Sequence, residues 1–487
     1  MSELINERKK KLDELKQKVN PYPVLFSKEK TNPNTIKEKH SDLKAGDKTN
    51  DIYSVAGRIM LFRRMGKAAF ITIKDNFESI QVYLRQDDTK SFDLIKNLDL
   101  GDFIGVTGHV FVTKMGELTI HGSELEVLAK AIRPLPDKHK GLQDTELKYR
   151  RRYLDLITNE ESSNTFKKRL QMMQSIREFF ISKGFLEVET PILHTIYGGA
   201  AAKPFITHHN DLKMDLYLRI SPELYLKRLI VGGFDAVFDI NKNFRNEGID
   251  TTHNPEFTML EAYKAYTDYK YMMKLTEELF EFVAKKVNGT TKTTFKGKEI
   301  DLKAPWPRIT MLDAIKKYAN INASNMSEKE LEDFVKENNI PFDKEKKWGN
   351  FVLAIFEELC EDKFENPTFI IDHPVESTPL CKAHPNDDRL IERFEPFCMG
   401  IELANAYSEL NDPIVQRKLL EDQARQLSEG LDDEANPMDE DFLMAIEQGM
   451  PPTGGLGIGL DRMAMVILGK DSIRDVIFFP TMKPEEK

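Results

Sequence analysis

Between Ile52 and about Leu128, apolar residues recur at every second position in short runs, a period that belongs to half-buried strands and not to helices. The runs at 55–60, 69–73, 79–84, 105–110 and 117–120 are separated by Gly, Asp and Asn. Five short strands in so compact a segment suit a small barrel. If Ile71 and Ile73 point inward against Ile80, Val82 and Leu84, then Phe70, Gln81 and Tyr83 point outward beside Arg58, Arg63, Arg64 and Arg85. An outward aromatic among arginines offers a stacking platform for an unpaired base. An ordinary solvated barrel surface reads almost as well from the pattern alone.

Around this segment the period changes. Residues 1–50 form a basic arm with a helical pattern at Leu4, Leu12, Leu15 and Val19, broken by Pro21, Pro23 and Pro33. Residues 51–132 hold the barrel, and 133–152 read as a hinge linker rich in proline and charge. The remainder, 153–487, forms the largest domain, with a helical insertion at about 305–365 whose pattern reads as packing. In it Phe166, Leu170, Met173, Ile176 and Phe180 recur at helical spacing until Gly184, and a strand through Glu189, Thr190 and Pro191 follows.

Composition excludes several classes. With 40% hydrophobic and 31% charged residues, no apolar run reaches the roughly 18 residues that span a bilayer. The N-terminus lacks the apolar core of a signal peptide, so a cytoplasmic protein is expected. Cys360, Cys381 and Cys398 are too widely spaced for a paired metal-ligand pattern. Residues 1–152 carry 29 Lys and Arg against 22 Asp and Glu, whereas the whole chain has a net charge of −10. A basic front end on an acidic body is compatible with nucleic acid gripped at the N-terminal side.

Three clusters carry chemistry. In the stretch 244–263, two extended runs around a loop put Arg245 and Glu247 on one strand face and Phe257, Met259, Glu261 and Tyr263 on another. Such a surface suits a nucleotide beside a charged small molecule. Further on, alternation aligns Asn405, Tyr407 and Glu409, while Glu395 and Glu402 supply hard oxygens of the kind Mg²⁺ prefers. Glu402 is out of phase with Asn405, so a bulge or bend must bring them together. Near the C-terminus, alternate glycines at 454, 455, 457 and 459 let a backbone approach a ligand closely, and a helix starting at Asp461 aims Arg462 at anionic oxygens. This glycine pattern matches neither the P-loop nor the dinucleotide fingerprint.

Taken in order, the strand ending Glu189-Thr190-Pro191, the block Phe244-Arg245-Asn246-Glu247 and the segment Gly457-Ile458-Gly459-Leu460-Asp461-Arg462 resemble the three signature motifs of class II aminoacyl-tRNA synthetases. The order barrel, linker, catalytic domain is similar to the subclass charging lysine, aspartate and asparagine. The segments 217–227, 253–258 and 405–410 are most similar to the lysine-specific family. The resemblance implies an α+β protein: an N-terminal five-stranded OB-fold barrel that binds the anticodon, and a catalytic domain on an antiparallel sheet flanked by helices. It implies that L-lysine and ATP give lysyl-adenylate and pyrophosphate, after which the lysyl group passes to the 3′-terminal adenosine of tRNA(Lys).

The same resemblance distributes roles. Arg245 is the catalytic residue, bridging the amino-acid carboxylate and the α-phosphate, and ATP is held by Arg245, Glu247, His253, Phe257, Glu402, Gly459 and Arg462. Lysine is held by Gly199, Glu223, Arg245, Glu261, Tyr263, Asn405, Tyr407, Glu409 and Gly457; Glu395 and Glu402 coordinate Mg²⁺. Phe70, Gln81 and Glu117 read the anticodon, and the helix before Glu189 with its strand forms a homodimer interface. Charge reasoning favours lysine, because a buried ε-ammonium needs a carboxylate such as Glu409. It leaves aspartate open, because Lys227 offers a cation for an acidic side chain.

Overall fold

The computed structural model describes residues 2–136, 142, 144–432 and 434–485, so residues 137–141 and 143 of the expected linker lie outside the described residues. The chain splits into two compact units, Met1–Ser163 and Asn164–Lys487.

In the first unit, β1 (Lys48–Met65), β2 (Ala68–Asp75), β3 (Glu78–Arg85), β4 (Phe103–Val112) and β5 (Leu118–Ala129) close a barrel in the order β1-β2-β3-β5-β4. Only β3 and β5 pair in parallel. Ile71, Ile73, Ile80, Val82 and Leu84 all point inward and are buried. The strands run longer than their apolar runs because backbone pairing continues past the last inward side chain. β1 extends over 18 residues, pairing with β4 along one part and β2 along another, and a register shift between Ile59 and Leu61 bends it between them. The N-terminal helix α1 (Ser2–Lys16) does not float as a solvated arm. Its Leu15 is buried in the barrel core, Lys11 pairs with Asp99 at 2.7 Å, and Arg8 donates to the Ala131 carbonyl at 3.0 Å.

The second unit is built on a ten-stranded sheet. Its main path, with the helices that matter here, comprises helix α2 (Glu160–Ser182), β6 (Leu186–Glu187), helix α3 (Glu223–Val231), β7 (Ala236–Phe244), β8 (Glu256–Ala265), helix α4 (Tyr269–Asn288), β9 (Arg308–Thr310), β10 (Thr368–Pro374), β11 (Asp387–Cys398), β12 (Ile401–Glu402), β13 (Ala404–Ser408), β14 (Thr453–Gly459) and helix α5 (Leu460–Leu468). The spatial order is β9-β10-β11-β13-β14-β8-β7-β6, with β12 on β11. From β10 to β7 every neighbour is antiparallel, and only β9 and β6 at the two edges add in parallel. The molecule is therefore of mixed α+β class.

Alternation divides this sheet into two faces with different tasks. Leu260, Ala262, Ala404, Ala406, Leu456 and Ile458 point into the main core, where α2, α4 and α5 cover them. Their neighbours Glu261, Tyr263, Asn405, Tyr407, Gly455 and Gly457 therefore face the other side. Buried ties pin these strands together. Arg219 donates to Thr190 Oγ1 at 2.8 Å and to Asp239 at 3.1 Å, and Thr190 donates to the same carboxylate, so the segment past β6, a strand that ends at Glu187 and does not run through Thr190 and Pro191 as expected, is fastened to β7. Asp461 accepts from the Thr258 backbone at 2.7 Å and from Arg169 of α2.

Two further local expectations are corrected, and the helical insertion is found as expected. Leu170 is 59% exposed, and the buried stripe of α2 is Phe166, Met172, Ile176, Phe179 and Phe180. Helix α5 begins at Leu460, one residue before the expected Asp461, with Gly459 as its N-cap. The insertion is helical at Met311–Tyr318, Glu328–Glu337 and Trp348–Leu359, packed around Met311, Ile315, Leu331 and Phe351.

Candidate active site

Residues 244–263 form the rim and floor of a site on the sheet face opposite α2, α4 and α5, where α3 packs against Tyr263. Arg245 and Glu247 are not strand residues: β7 ends at Phe244, and Arg245 closes the hairpin by donating its backbone N–H to Pro255 O at 2.9 Å. Glu247 follows in an exposed loop. The Arg245 guanidinium lies 5.2 Å from the Phe257 ring centroid, and its buried Nε has no hydrogen-bond partner among the described residues. An orphaned buried donor of this kind calls for an anionic ligand. Burial lowers the Arg245 pKa, while Glu247, Glu402 and Glu261 pull it up and Arg462 pushes it down, so this guanidinium lies within electrostatic reach of both ends of the site.

At one end, Arg462 at the start of α5 donates to His253 Nε2 at 2.8 Å and to Glu402 Oε2 at 3.2 Å. His253 also contacts Asp250 at 2.8 Å; that carboxyl sits at about 2, where burial is outweighed by the Thr252 N–H and the His253 contact. The bend required between Glu402 and Asn405 is present, because β12 and β13 are separate strands interrupted at Leu403, whose N–H turns to Pro396 O at 2.9 Å. Glu395 is held by Arg393, whose Nε donates to Asn405 Oδ1 at 2.9 Å. Burial and then the neighbouring Glu395 raise the Glu402 pKa. Two carboxylates that repel across a short gap suit a shared dication, and no group of three or more His, Cys, Asp or Glu among the described residues could hold a metal unaided. This donor set fits Mg²⁺, which takes a few protein carboxylates and fills its octahedron with phosphate and water.

At the other end, carboxylates converge. Ser221 donates to Glu261 Oε1 at 2.7 Å and Tyr263 to Glu261 Oε2 at 3.0 Å. Tyr407 donates to Glu223 at 2.7 Å, and Lys227 donates to Glu223 at 2.6 Å while pairing with Glu409. Burial, then Glu223, pushes the Glu261 carboxyl up to about 8. The floor is glycine: Gly457 pairs with Glu261 and Asn405 on its two sides, and Gly455 with Tyr263 and Tyr407. A Cβ on Gly455 would stand 1.9 Å from Glu409 Oε1, so this strand must lack side chains for the carboxylate to fit. Gly199 has φ +85°, and a Cβ there would meet Ser221 Oγ and Glu223 Cβ at 3.0 Å. Gly459, the N-cap of α5, lies beside Arg462.

Sequence reasoning missed Ser221, Gly455 and Arg393. Gly455 was visible in the glycine alternation. Ser221 and Arg393 act through partners 40 and 12 residues away, separations that no local pattern encodes.

On the barrel, Phe70 and Tyr83 lie side by side with ring centroids 4.7 Å apart, and Tyr83 continues to His121 at 5.2 Å. Gln81 donates to Thr119 Oγ1 at 2.9 Å. Glu117 stands exposed in the turn before β5, not in the strand. Arg63 pairs with Phe70 across β1 and β2, but Arg58 sits elsewhere, its guanidinium 4.3 Å from the Phe103 centroid and bonded to Gly101 O.

A closed barrel carrying an aromatic strip, and an antiparallel sheet with α2, α4 and α5 on one face and an arginine-and-carboxylate site on the other, define a two-domain adenylating enzyme. A family model for tRNA synthetases class II (D, K and N) matches residues 144–483, and one for OB-fold nucleic acid binding domains matches 53–128; the chain belongs to the class II tRNA synthetases. Within them it belongs with the lysine–tRNA ligases. It is 49% identical to the lysine–tRNA ligase of Clostridium novyi over 99% of this chain and 94% of the relative. To that of Pelotomaculum thermopropionicum it is 50% identical over 100% and 96%. Among the described residues, no helix is long and apolar enough to cross a membrane.

Proposed function

We propose that this chain joins L-lysine to ATP, forming lysyl-adenylate and pyrophosphate, and then transfers the lysyl group to the 3′-terminal adenosine of tRNA(Lys). The observation that carries this reading is the buried gathering of Glu223, Glu261 and Glu409, in which Lys227 pairs with Glu223 and Glu409 but not with Glu261, next to an arginine with an unpaired donor. Three carboxylates with one ammonium among them leave room for a substrate with two positive groups. Glu223 and Glu261 receive the α-ammonium beside Gly199, and Glu409 with Tyr263 receives the ε-ammonium; Asn405, Tyr407 and Gly457 line the pocket. Lys227 is already engaged by Glu223 and Glu409, which counts against its serving as the cation for a substrate aspartate.

The lysine carboxylate is an ionised nucleophile and needs no general base. Its oxygen attacks the α-phosphorus, the bond to the bridging oxygen breaks, and pyrophosphate leaves. Arg245 aligns carboxylate and α-phosphate and stabilises charge that grows on the phosphoryl oxygens. Phe257 stacks the adenine, Glu247, His253 and Gly459 hold ATP, and Arg462 meets the γ-phosphate. Glu395 and Glu402 would hold Mg²⁺ together with the phosphates, where it would supply charge neutralisation for the pyrophosphate.

In this reading residues 1–50 are a helical segment packed on the barrel, 51–132 the anticodon-binding barrel, 133–152 a hinge, and 153–487 the catalytic domain with an insertion at about 305–365. Phe70 stacks an anticodon base, and Gln81 and Glu117 hydrogen-bond others. A homodimer is supported by Leu170, Ile181, Leu186 and Leu193, large apolar side chains left exposed on and just after α2. The buried free thiols fit a reducing cytoplasm. Charging assays with purified tRNA(Lys), lysine and ATP test the whole reading; lysyl-tRNA must form, and its absence with active ATP and tRNA refutes it.

A further inference from the structure

Lys227 is the one residue of the pocket whose burial calls for an account of its own. It is fully buried on α3, a position at which a lysine ammonium survives only if paired on more than one side. Both sides are present: Glu223 one turn back on the same helix at 2.6 Å, and Glu409 beyond the end of β13. The rings of Tyr407 and Phe442 stand 5.6 and 5.9 Å from its nitrogen. Around Glu409 stand Glu223, Glu261, Tyr263, Tyr407 and Cys381, with Arg393 of β11 reaching Tyr407 and Cys381 and Arg219 reaching Glu261. Of the groups that act most strongly on Glu409 itself, Lys227 alone favours the charged form.

We propose that Lys227 is the positioning residue for lysine selection: its ammonium, paired with Oε2, turns the Glu409 carboxylate in one direction, so that the second carboxylate oxygen is presented to the substrate ε-ammonium. The inference rests on the lysine reading given above and deepens it. Lys227 pairs with Glu409 at Oε2, Oε1 lies against Gly455, and beyond that ion pair neither buried oxygen has a hydrogen-bond partner among the described residues. A carboxylate with a cation at one oxygen accepts a second ammonium at the other. Burial, the largest cause, holds the Glu409 pKa well above its ordinary value although Lys227 pulls it down, while Lys227 keeps its own proton because Glu223 and Glu409 outweigh burial. Removing the ammonium takes that counterweight away and makes the charged form of Glu409, the one that holds a cation, rarer still.

The test is lysine-dependent ATP–pyrophosphate exchange between pH 6.5 and 9, with wild type, Lys227→Arg and Lys227→Met. Lys227→Met is expected to raise the KM for lysine at least about tenfold, leave the KM for ATP within about twofold, and move the pH profile of the lysine KM up by about one unit or more. Lys227→Arg keeps the wild-type profile. A lysine KM within about threefold of wild type in Lys227→Met, or lysine and ATP KM rising together on an unmoved profile, overturns the proposal. If Lys227→Met does not fold, Lys227→Met/Glu409→Gln decides. Because Lys227 acts through Glu409, that pair is expected to fold and to use lysine within about threefold of Glu409→Gln alone. A further loss, or failure of the pair to fold, assigns Lys227 to the core and overturns the inference. No exchange with lysine in wild type removes the underlying reading instead, so the two failures are distinguishable.

Discussion

Glu409 lies against the backbone of Gly455, with Oε1 where a Cβ would stand 1.9 Å away and the Tyr263 ring 2.6 Å from that same point. The pocket wall on β14 is therefore defined by an atom that is missing. Gly455→Ala is expected to displace Glu409 or Tyr263 and to lower kcat/KM for lysine by about a hundredfold, since overpacking a closed site costs about 1–3 kcal/mol. The ATP KM should stay near wild type. Exchange kinetics with lysine as the varied substrate check this, and unchanged kcat/KM would show that Glu409 need not occupy its observed position.

Glu261 gives the reaction a pH signature. Its ordinary value is 4.5, and burial, then Glu223, raises it to about 8 in the lysine-free pocket. Only the ionised form pairs with an ammonium, so between those two values lysine binding must expel a proton. The KM for lysine is expected to fall as pH rises toward about 8, by about tenfold per unit at the steepest, and then to level off. Glu261→Gln should flatten the slope. A lysine KM that does not change from pH 6 to 8 in wild type contradicts an ionised Glu261 as the partner of the substrate.

The barrel makes a separable prediction. Phe70 stands 4.7 Å from Tyr83 on the outer face, and stacking of a base on such a ring contributes about 1–3 kcal/mol. Phe70→Ala should weaken tRNA charging by about tenfold or more while sparing ATP–pyrophosphate exchange, which needs no tRNA. Equal losses in both assays would mean that the substitution damages the fold.

How much of this was legible beforehand follows from how local each signal is. Period two located all five barrel strands and the inward Ile71, Ile73, Ile80, Val82 and Leu84, because alternation is a property of neighbouring residues. It also separated Leu260 and Ala262 from Glu261 and Tyr263 on β8. It failed where the chain leaves regular structure or where contacts are long-range. Arg245 and Glu247 lie past the end of β7, since the hairpin closes at Arg245 and Pro255. Leu170 fits the helical stripe of α2 yet faces outward, because a 3.6-residue repeat fixes a face but not its width. The Lys227–Glu409 pair joins residues whose separation no motif spans. The glycines of β14 showed that a backbone must come close to something, and only the structure shows that the something includes Glu409.

The central claim is that the carboxylate-lined pocket beside Arg245 selects lysine for adenylation. It is tested most directly by ATP–pyrophosphate exchange with purified protein and each amino acid supplied singly. The account predicts exchange with lysine and none with aspartate or asparagine. Exchange driven by aspartate or asparagine, or by no amino acid, would contradict it.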